Sequence, residues 1–174
     1  MALDPVKNFA KVEVSIGYDA SATSIALVSA DGAKLPQTSS DGDFNLVWWN
    51  STDFSDPTDD SNVEIVRCTA RTTDTLTVTR AQEGTSATTK NIAGKTYKMV
   101  IAVTKKTIDD LNDRLAGETP SGVVDGVNLT FTVTATPRHI VSDSAIYFEG
   151  NGYSRSGLTI TMSLPPAQYI KAFL

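Results

Sequence analysis

The sequence lacks most of the side chains on which catalytic and metal sites depend. Its 174 residues contain one cysteine, Cys68, and one histidine, His139. A single cysteine excludes an internal disulfide and a thiolate metal cluster. A single histidine leaves little for general acid–base chemistry near neutral pH, and we expect it on the surface or in a turn. We therefore expect a protein that is not an enzyme and that uses no cofactor or metal.

Long apolar runs and basic clusters are also missing. The longest uninterrupted apolar stretch is residues 99–103, whereas a membrane-spanning helix needs about 20 apolar residues. Residues 1–9 lack the apolar core of a signal peptide. The 20 acidic and 15 basic residues give a net charge of −5, while binding to nucleic-acid phosphates calls for a basic face. The sequence predicts neither membrane insertion nor nucleic-acid binding.

The residues that are abundant favour β-structure. Asp outnumbers Glu by 15 to 5, and there are 23 Thr and 16 Ser. This mixture is poor in helix formers and rich in β-branched and turn-forming side chains. Apolar and polar residues alternate over 12–16, 75–79 and 129–134, as in half-buried strands. We predict a mainly β fold of two small antiparallel domains, each sandwich or barrel-like, joined by one short helix.

The same pattern predicts four segments along the chain. Residues 1–10 have no periodicity and are predicted to form an extended N-terminal arm. An N-terminal β domain over 11–103, a helical linker over 104–117 and a small C-terminal β-sandwich module over 118–174 follow. A module of that size is near the lower limit for an independent core. We expect it to gain stability from the first domain or from another copy of the chain.

The predicted helix, residues 105–115, carries a narrow apolar stripe. Ile108, Leu111 and Leu115 follow one another at spacings of three and four, and the other faces are charged. The stripe is too short for an autonomous coiled coil, but it can pack around a symmetry axis or against its own domain. These three residues are the candidate oligomer interface, and a homotrimer is the expected oligomer.

Two further pairs of apolar residues are candidate contact residues. Trp48 and Trp49 are adjacent in a predicted strand, so their side chains point to opposite faces. Either one ring contacts another protein, or both rings are covered within one domain. Val6 and Phe9 are candidate residues for anchoring the arm to a neighbour. The alternatives are a disordered tail or an arm folded back on its own domain.

An acidic loop and a glycine-containing turn each allow two interpretations. The acidic loop contains Asp53, Asp56, Asp59 and Asp60, and carboxylates two or three residues apart can converge on Ca²⁺. The loop lacks the ligand order of an EF-hand. A solvated loop in which these aspartates cap turns is therefore the favoured interpretation. Residues 80–85 lack the lysine of a phosphate-binding loop. We predict a structured turn there, with Gly84 left-handed and Arg80 paired with a carboxylate.

Several segments resemble a known family of phage proteins. The resemblance is to the N-terminal domain of tailed-bacteriophage virion proteins, often named tail or tail-fibre proteins, and it covers about residues 8 to 115. The motifs that carry it are Val12-Glu-Val-Ser-Ile-Gly-Tyr-Asp-Ala20, Gly32-Ala-Lys-Leu-Pro36, Phe44-Asn-Leu-Val-Trp-Trp-Asn50, Asn62-Val-Glu-Ile-Val-Arg67, Thr77-Val-Thr-Arg-Ala-Gln-Glu-Gly-Thr85 and Ala93-Gly-Lys-Thr-Tyr-Lys98. Residues 126–166, with Asn151-Gly152 and Thr159-Ile-Thr161, are similar to a small β module of phage tail and fibre proteins.

The resemblance implies a structural protein of the virion, often trimeric, with no catalytic residues. Because the sequence ends soon after the second module, we expect a short tail fibre or a tail adaptor that docks to the particle and supports host attachment. Its partners would be other virion proteins and the host surface, and it would be assembled in the bacterial cytoplasm. A capsid decoration or head-fibre protein is the alternative. A stand-alone carbohydrate-binding module would need clustered exposed aromatic rings.

Overall fold

A computed structural model describes residues 3–143 and 145–173. The described chain divides into two compact units, residues 3–107 and residues 108–173, each with its own six-stranded sheet. The fold is mainly β with one short helix between the two sheets in sequence, as the composition and the alternating patterns predict.

The first unit is a single antiparallel sheet that curls back on itself. Its strands, in the sheet order β1-β6-β3-β4-β5-β2, are β1 (Lys11–Glu13), β2 (Ser24–Ala26), β3 (Phe44–Asn50), β4 (Glu64–Thr72), β5 (Thr75–Gln82) and β6 (Tyr97–Val100). The two edges meet where Val14 bridges Leu27 and the Val28 amide donates to the Glu13 carbonyl at 2.8 Å. Two bulges between β4 and β5 increase the local twist, which favours this closure.

The core of the first unit follows from the period of two along its strands. In β4, Val66 and Cys68 point inward, and in β5 Leu76 and Val78 do so while the alternating threonines face solvent. The buried hydrophobic cluster consists of Ala10, Val12, Val14, Ile25, Leu27, Leu35, Phe44, Leu46, Trp48, Val66, Cys68, Leu76, Val78, Tyr97 and Met99. Cys68 is therefore a small buried side chain of this core.

Helical structure is short. The helix α1 (Thr38–Asp41) is a single turn, and two 3-10 turns cover Asp31–Lys34 and Pro57–Asp59. The helix α2 (Lys105–Ala116) begins in the first unit, continues into the second and ends at Gly117, whose φ of +65° lies in the left-handed region. Among the described residues, none of these helices has the length and apolarity required to cross a bilayer.

The second unit also has one curled sheet. Its strands, in the sheet order β12-β8-β9-β10-β11-β7, are β7 (Thr130–Thr132), β8 (His139–Ser142), β9 (Ala145–Glu149), β10 (Gly152–Ser156), β11 (Thr159–Met162) and β12 (Ile170–Phe173). All pairs are antiparallel except a two-residue parallel contact between β9 and β10. That exception follows a tight turn in which Gly150 and Gly152 adopt positive φ.

A short segment before β7 closes the second sheet. Glu118 exchanges two 2.8 Å backbone hydrogen bonds with Ala172 of β12, and Ser121 exchanges two with Thr132 of β7. Residues 118–121 therefore cover both edge strands, and the sheet becomes barrel-like. The side chains enclosed are Phe131, Val133, Ile140, Tyr153, Ile160, Met162, Ile170 and Ala172.

Candidate functional site

The two tryptophans of β3 are both buried, at 0% exposure for Trp48 and 4% for Trp49. Trp48 belongs to the core of the first unit. Trp49 lies on the opposite face, where its indole N–H donates to the Phe54 carbonyl at 3.1 Å and the loop after β3 covers it. The first unit therefore covers both rings. Neither tryptophan is exposed for a contact with another protein.

A buried ion pair lies beneath the turn that follows β5. The Arg80 guanidinium donates from Nε and Nη2 to the two oxygens of the Glu64 carboxylate, both at 2.7 Å. The Ala81 amide donates to the same carboxylate at 3.0 Å. Burial alone would raise the pKa of Glu64, but these donors together hold the pKa below its ordinary value. The prediction that Arg80 pairs with a carboxylate is confirmed.

A lysine and an aromatic ring complete this cluster. Lys90 is 1% exposed, donates to the Asn62 carbonyl at 2.5 Å, and lies 3.9 Å from Glu64. Arg80 and Lys90 both lie over the Trp48 ring, at 4.9 and 5.8 Å from its centroid. Burial lowers the pKa of Lys90. The carboxylate is ionised, fully hydrogen-bonded and shielded from solvent, so it is suited to holding strands together rather than to accepting a proton from a substrate.

The turn at residues 80–85 has the predicted conformation and more strain than the sequence indicates. Gly84 has φ +82°, as expected, but Ala81 and Glu83 are also left-handed at +57° and +52°. Non-glycine residues in this region cost about 1–3 kcal/mol each, so surrounding contacts must hold them. The Thr85 hydroxyl supplies one such contact by donating to the Gln82 carbonyl at 2.8 Å.

The N-terminal arm lies on its own unit. The Asp4 carboxylate pairs with Arg67 at 2.5 Å, and the Lys7 ammonium donates to the Ala33 carbonyl at 2.6 Å. The apolar side chains of the arm do not pack with these polar ones: Val6 is 72% exposed and Phe9 is 99% exposed. The arm is therefore held by these polar contacts and by Ala10, which is buried in the core of the first unit, while Val6 and Phe9 face solvent.

The apolar stripe of α2 also faces solvent. Ile108, Leu111 and Leu115 are 47%, 41% and 66% exposed, whereas Asp110 on the other side of the helix is buried. An ordinary surface helix shows the reverse arrangement, with the apolar stripe covered and the charges outside. The structure thus brings the three candidate interface residues together on one exposed face.

Among its described residues, the second unit exposes more large apolar side chains than it buries. Its core has eight buried hydrophobic residues, and eleven large ones are exposed, namely Ile108, Leu111, Leu115, Val123, Val127, Leu129, Ile146, Phe148, Leu158, Leu164 and Tyr169. Exposed apolar side chains mark an interaction site where they adjoin one another on the surface. This excess was not apparent from the sequence, because alternation marks one apolar face per strand and does not show which side chains stay uncovered.

Three rings form a row across β12, β8 and β9. His139 lies in β8 rather than in a turn, and its ring stacks on Phe173 with centroids 4.8 Å apart and planes 8° apart. Phe148 lies on the other side of His139 at 6.2 Å. Because His139 and Phe173 cover each other's faces, the row is a cross-strand ladder, not a flat platform for sugar rings.

The acidic loop is organised by its own carboxylates. Asp56 accepts from the Thr58 amide at 2.8 Å, and Asp60 accepts from the Asn50 and Asn62 amides at 2.9 and 2.8 Å. These contacts are the capped turns that the sequence favours. In the part of the chain that the structure describes, no three His, Cys, Asp or Glu side chains are grouped to hold a metal ion.

Comparison with known proteins gives no family for this chain. No protein-family model matches the sequence, and no curated protein matches it either. The likeness to phage virion proteins therefore rests on the motifs quoted from the sequence, and the argument for function rests on the exposed surfaces.

Proposed function

We propose that this protein is a structural subunit of a phage virion, a short tail fibre or tail adaptor that docks to the particle and supports host attachment. The observation that carries the proposal is the outward apolar stripe of α2. A helix that exposes Ile108, Leu111 and Leu115 and buries Asp110 is built to be covered by another surface. The polar groups with the most contacts, around Glu64, hold the fold together, which supports a structural rather than a catalytic role.

The partner of this stripe, in our proposal, is the same stripe in two other copies of the chain. Spacings of three and four with flanking polar residues are those of a narrow coiled-coil seam, and three such helices can bury the stripe around a three-fold axis. The excess of exposed apolar side chains in the second unit supports association there as well.

The arm is the proposed contact with the particle. Val6 and Phe9 are presented to solvent by a segment that Asp4 and Lys7 fasten to the first unit. Apolar groups on a fastened arm lose little conformational freedom on binding, which favours docking to an ordered neighbour. Three arms in one trimer would add avidity.

Two measurements test the proposal. Light scattering of the purified chain at micromolar concentration should give a mass of three times 18.6 kDa, and a stable monomer would contradict the trimer. Electron cryomicroscopy of purified particles should place three copies at the tail. Density on the head surface would make the protein a decoration or head-fibre protein instead, and absence from particles would overturn the proposal.

A further inference from the structure

We infer that Asp4 couples the N-terminal arm to the first turn of α2, so that release of the arm loosens the helix. The inference concerns contacts within one chain and does not depend on the proposed virion role. It starts from Glu83, one of the strained residues of the turn at 80–85, whose carboxylate accepts from the backbone amide of Lys106 at 2.8 Å. That amide belongs to the first turn of α2, where N–H groups have no partner within the helix. Glu83 is therefore a capping group supplied from outside the helix.

The Glu83 cap is part of a closed ring of side chains. The other Glu83 oxygen accepts from the Asn45 amide group at 2.8 Å, and the Asn45 oxygen accepts from Arg67 at 3.0 Å. Arg67 pairs with Asp4 at 2.5 Å, and the second Asp4 oxygen lies 3.4 Å from the Lys106 ammonium. The ring thus runs from the arm through β4 and β3 to the turn and the helix, and then back to the arm. We call it the Asp4 ring; its members are Asp4, Arg67, Asn45, Glu83 and Lys106.

Charge explains why Asp4 matters to the helix. The ring holds two carboxylates and two cations, so it is balanced while the arm is in place. Lys106 sits at the N-terminal end of α2, where the helix dipole disfavours a positive charge. Withdrawing Asp4 removes a carboxylate that contacts both Lys106 and Arg67, so the positive charge beside the helix N-terminus increases. Loss of the arm contact should therefore weaken the cap and the first turn together.

The coupling works in both directions, as any thermodynamic linkage does. A partner that captures residues 3–9 in a position away from Arg67 would loosen the start of the helix, and a formed first turn would hold the arm on its own unit.

The first test removes the charge of Asp4 in the full chain. Asp4→Asn should raise the hydrogen-exchange rates of the amides of Lys106 to Asp109 by about three- to tenfold, the size expected for losing one or two partly exposed charge contacts at a helix end. Exchange of the β3 amides should stay unchanged. Asp43→Asn is the matched control, because Asp43 lies 3.9 Å from Arg67 but outside the Asp4 ring; it should leave the first turn of α2 as in the wild type.

The second test changes the helix and measures the effect on the arm. Lys106→Gln should speed tryptic cleavage after Lys7 in the arm, while cleavage after Lys95, which has no contact with the arm among the described residues, should keep its wild-type rate. Cleavage after Lys7 at the wild-type rate would overturn the inference, even if Asp4→Asn failed to fold. Equal first-turn exchange in Asp4→Asn and Asp43→Asn, or faster exchange throughout the first unit, would overturn it as well.

Discussion

At the scale of single residues, aspartate carboxylates hold many of the loops of this protein. Asp143 accepts from the backbone amides of Ala167, Gln168 and Tyr169 at 2.8, 2.9 and 3.2 Å. Asp74 binds two amides in the same way. The short aspartate side chain reaches nearby backbone donors that a longer glutamate overshoots, which accounts for the excess of Asp over Glu in the composition.

These contacts predict an acid-sensitive second unit. Hydrogen bonds from Ala167 and then Gln168 lower the pKa of Asp143 from its ordinary 3.8. A carboxyl group with a lowered pKa in the folded state adds stability above the ordinary pKa and loses it as the pH falls through the folded value. Asp143→Asn should therefore melt at a lower temperature than the wild type at neutral pH, and the difference should shrink below pH 3.8. Thermal unfolding at a series of pH values measures this, and a difference that does not change with pH would contradict it.

The buried ion pair gives a second residue-scale prediction. Arg80→Ala leaves the Glu64 carboxylate buried without its main partner, so the free energy of unfolding of the first unit should fall by about 3–5 kcal/mol. Both tryptophans lie in this unit, so their fluorescence during urea unfolding reports on it alone. Lys98→Ala, which breaks a partly exposed 3.8 Å pair with Glu13 in the same unit, is the control and should cost at most about 1 kcal/mol. Equal small losses in both variants would show that Lys90 replaces Arg80.

The sequence allows only part of this cluster to be predicted. Arg80 next to a glycine turn indicates an ion pair, because a guanidinium group held at the end of a strand pairs with a carboxylate within reach. The identity of Glu64 as the partner depends on how β4 and β5 align, and two bulges shift that alignment. Local chemistry therefore predicts the type of contact, while strand register decides which residues make it.

At the scale of elements, the positions of the strands and the helix in the sequence are easier to predict than which of their side chains are buried. The aromatic run 44–50 is a strand with those limits, and the predicted helix 105–115 is one residue longer in the structure. Periodicity does not show that the loop after β3 covers Trp49, or that the stripe of α2 faces outward. Residues 118–121 close the second sheet through single-residue bridges, which leave no period in the sequence.

The outward stripe predicts the behaviour of one helix variant. Leu111→Asp places a charge in the middle of the proposed seam, so the oligomer should dissociate at least about tenfold more readily. Because Leu111 is 41% exposed in the single chain, the variant should keep its fold. Analytical ultracentrifugation measures the dissociation, and circular dichroism checks the fold. Asp113→Lys changes an exposed charge on the opposite face of the helix and should associate as the wild type does. Equal weakening in both variants would contradict a seam at Leu111.

At the scale of the whole molecule, closure of the sheets restricts how copies can associate. In the first unit β1 and β2 meet each other, and in the second unit residues 118–121 cover β12 and β7. Neither sheet, over its described residues, offers a long free edge for strand addition. Association must then use side chains, and the exposed apolar ones include Val6 and Phe9 on the arm, the stripe of α2, and Ile146 and Phe148 on the second sheet. The fold thus separates the residues that stabilise each unit from those available for assembly.

The arm allows anchoring to be tested without disturbing the fold. Phe9→Ala removes a ring that is 99% exposed, so thermal stability should not fall, and Asp4 keeps its contact with Arg67. If the ring is buried by a neighbour in the particle, each chain loses about 1.5–3 kcal/mol of binding free energy, and three chains lose it together. Incorporation of Phe9→Ala should then fall well below that of the wild type when the two proteins compete during assembly.

The matched control for this competition is Val28→Ala, which shortens an apolar side chain that is 39% exposed elsewhere in the first unit. It should enter particles as the wild type does, because Val28 lies outside the arm. Deleting residues 1–9 is a less specific change, since it also removes Asp4 and with it the contact to Lys106. Equal incorporation of Phe9→Ala and wild type would show that the arm does not anchor through this ring, and the exposed side chains of the second unit would be the next surface to test.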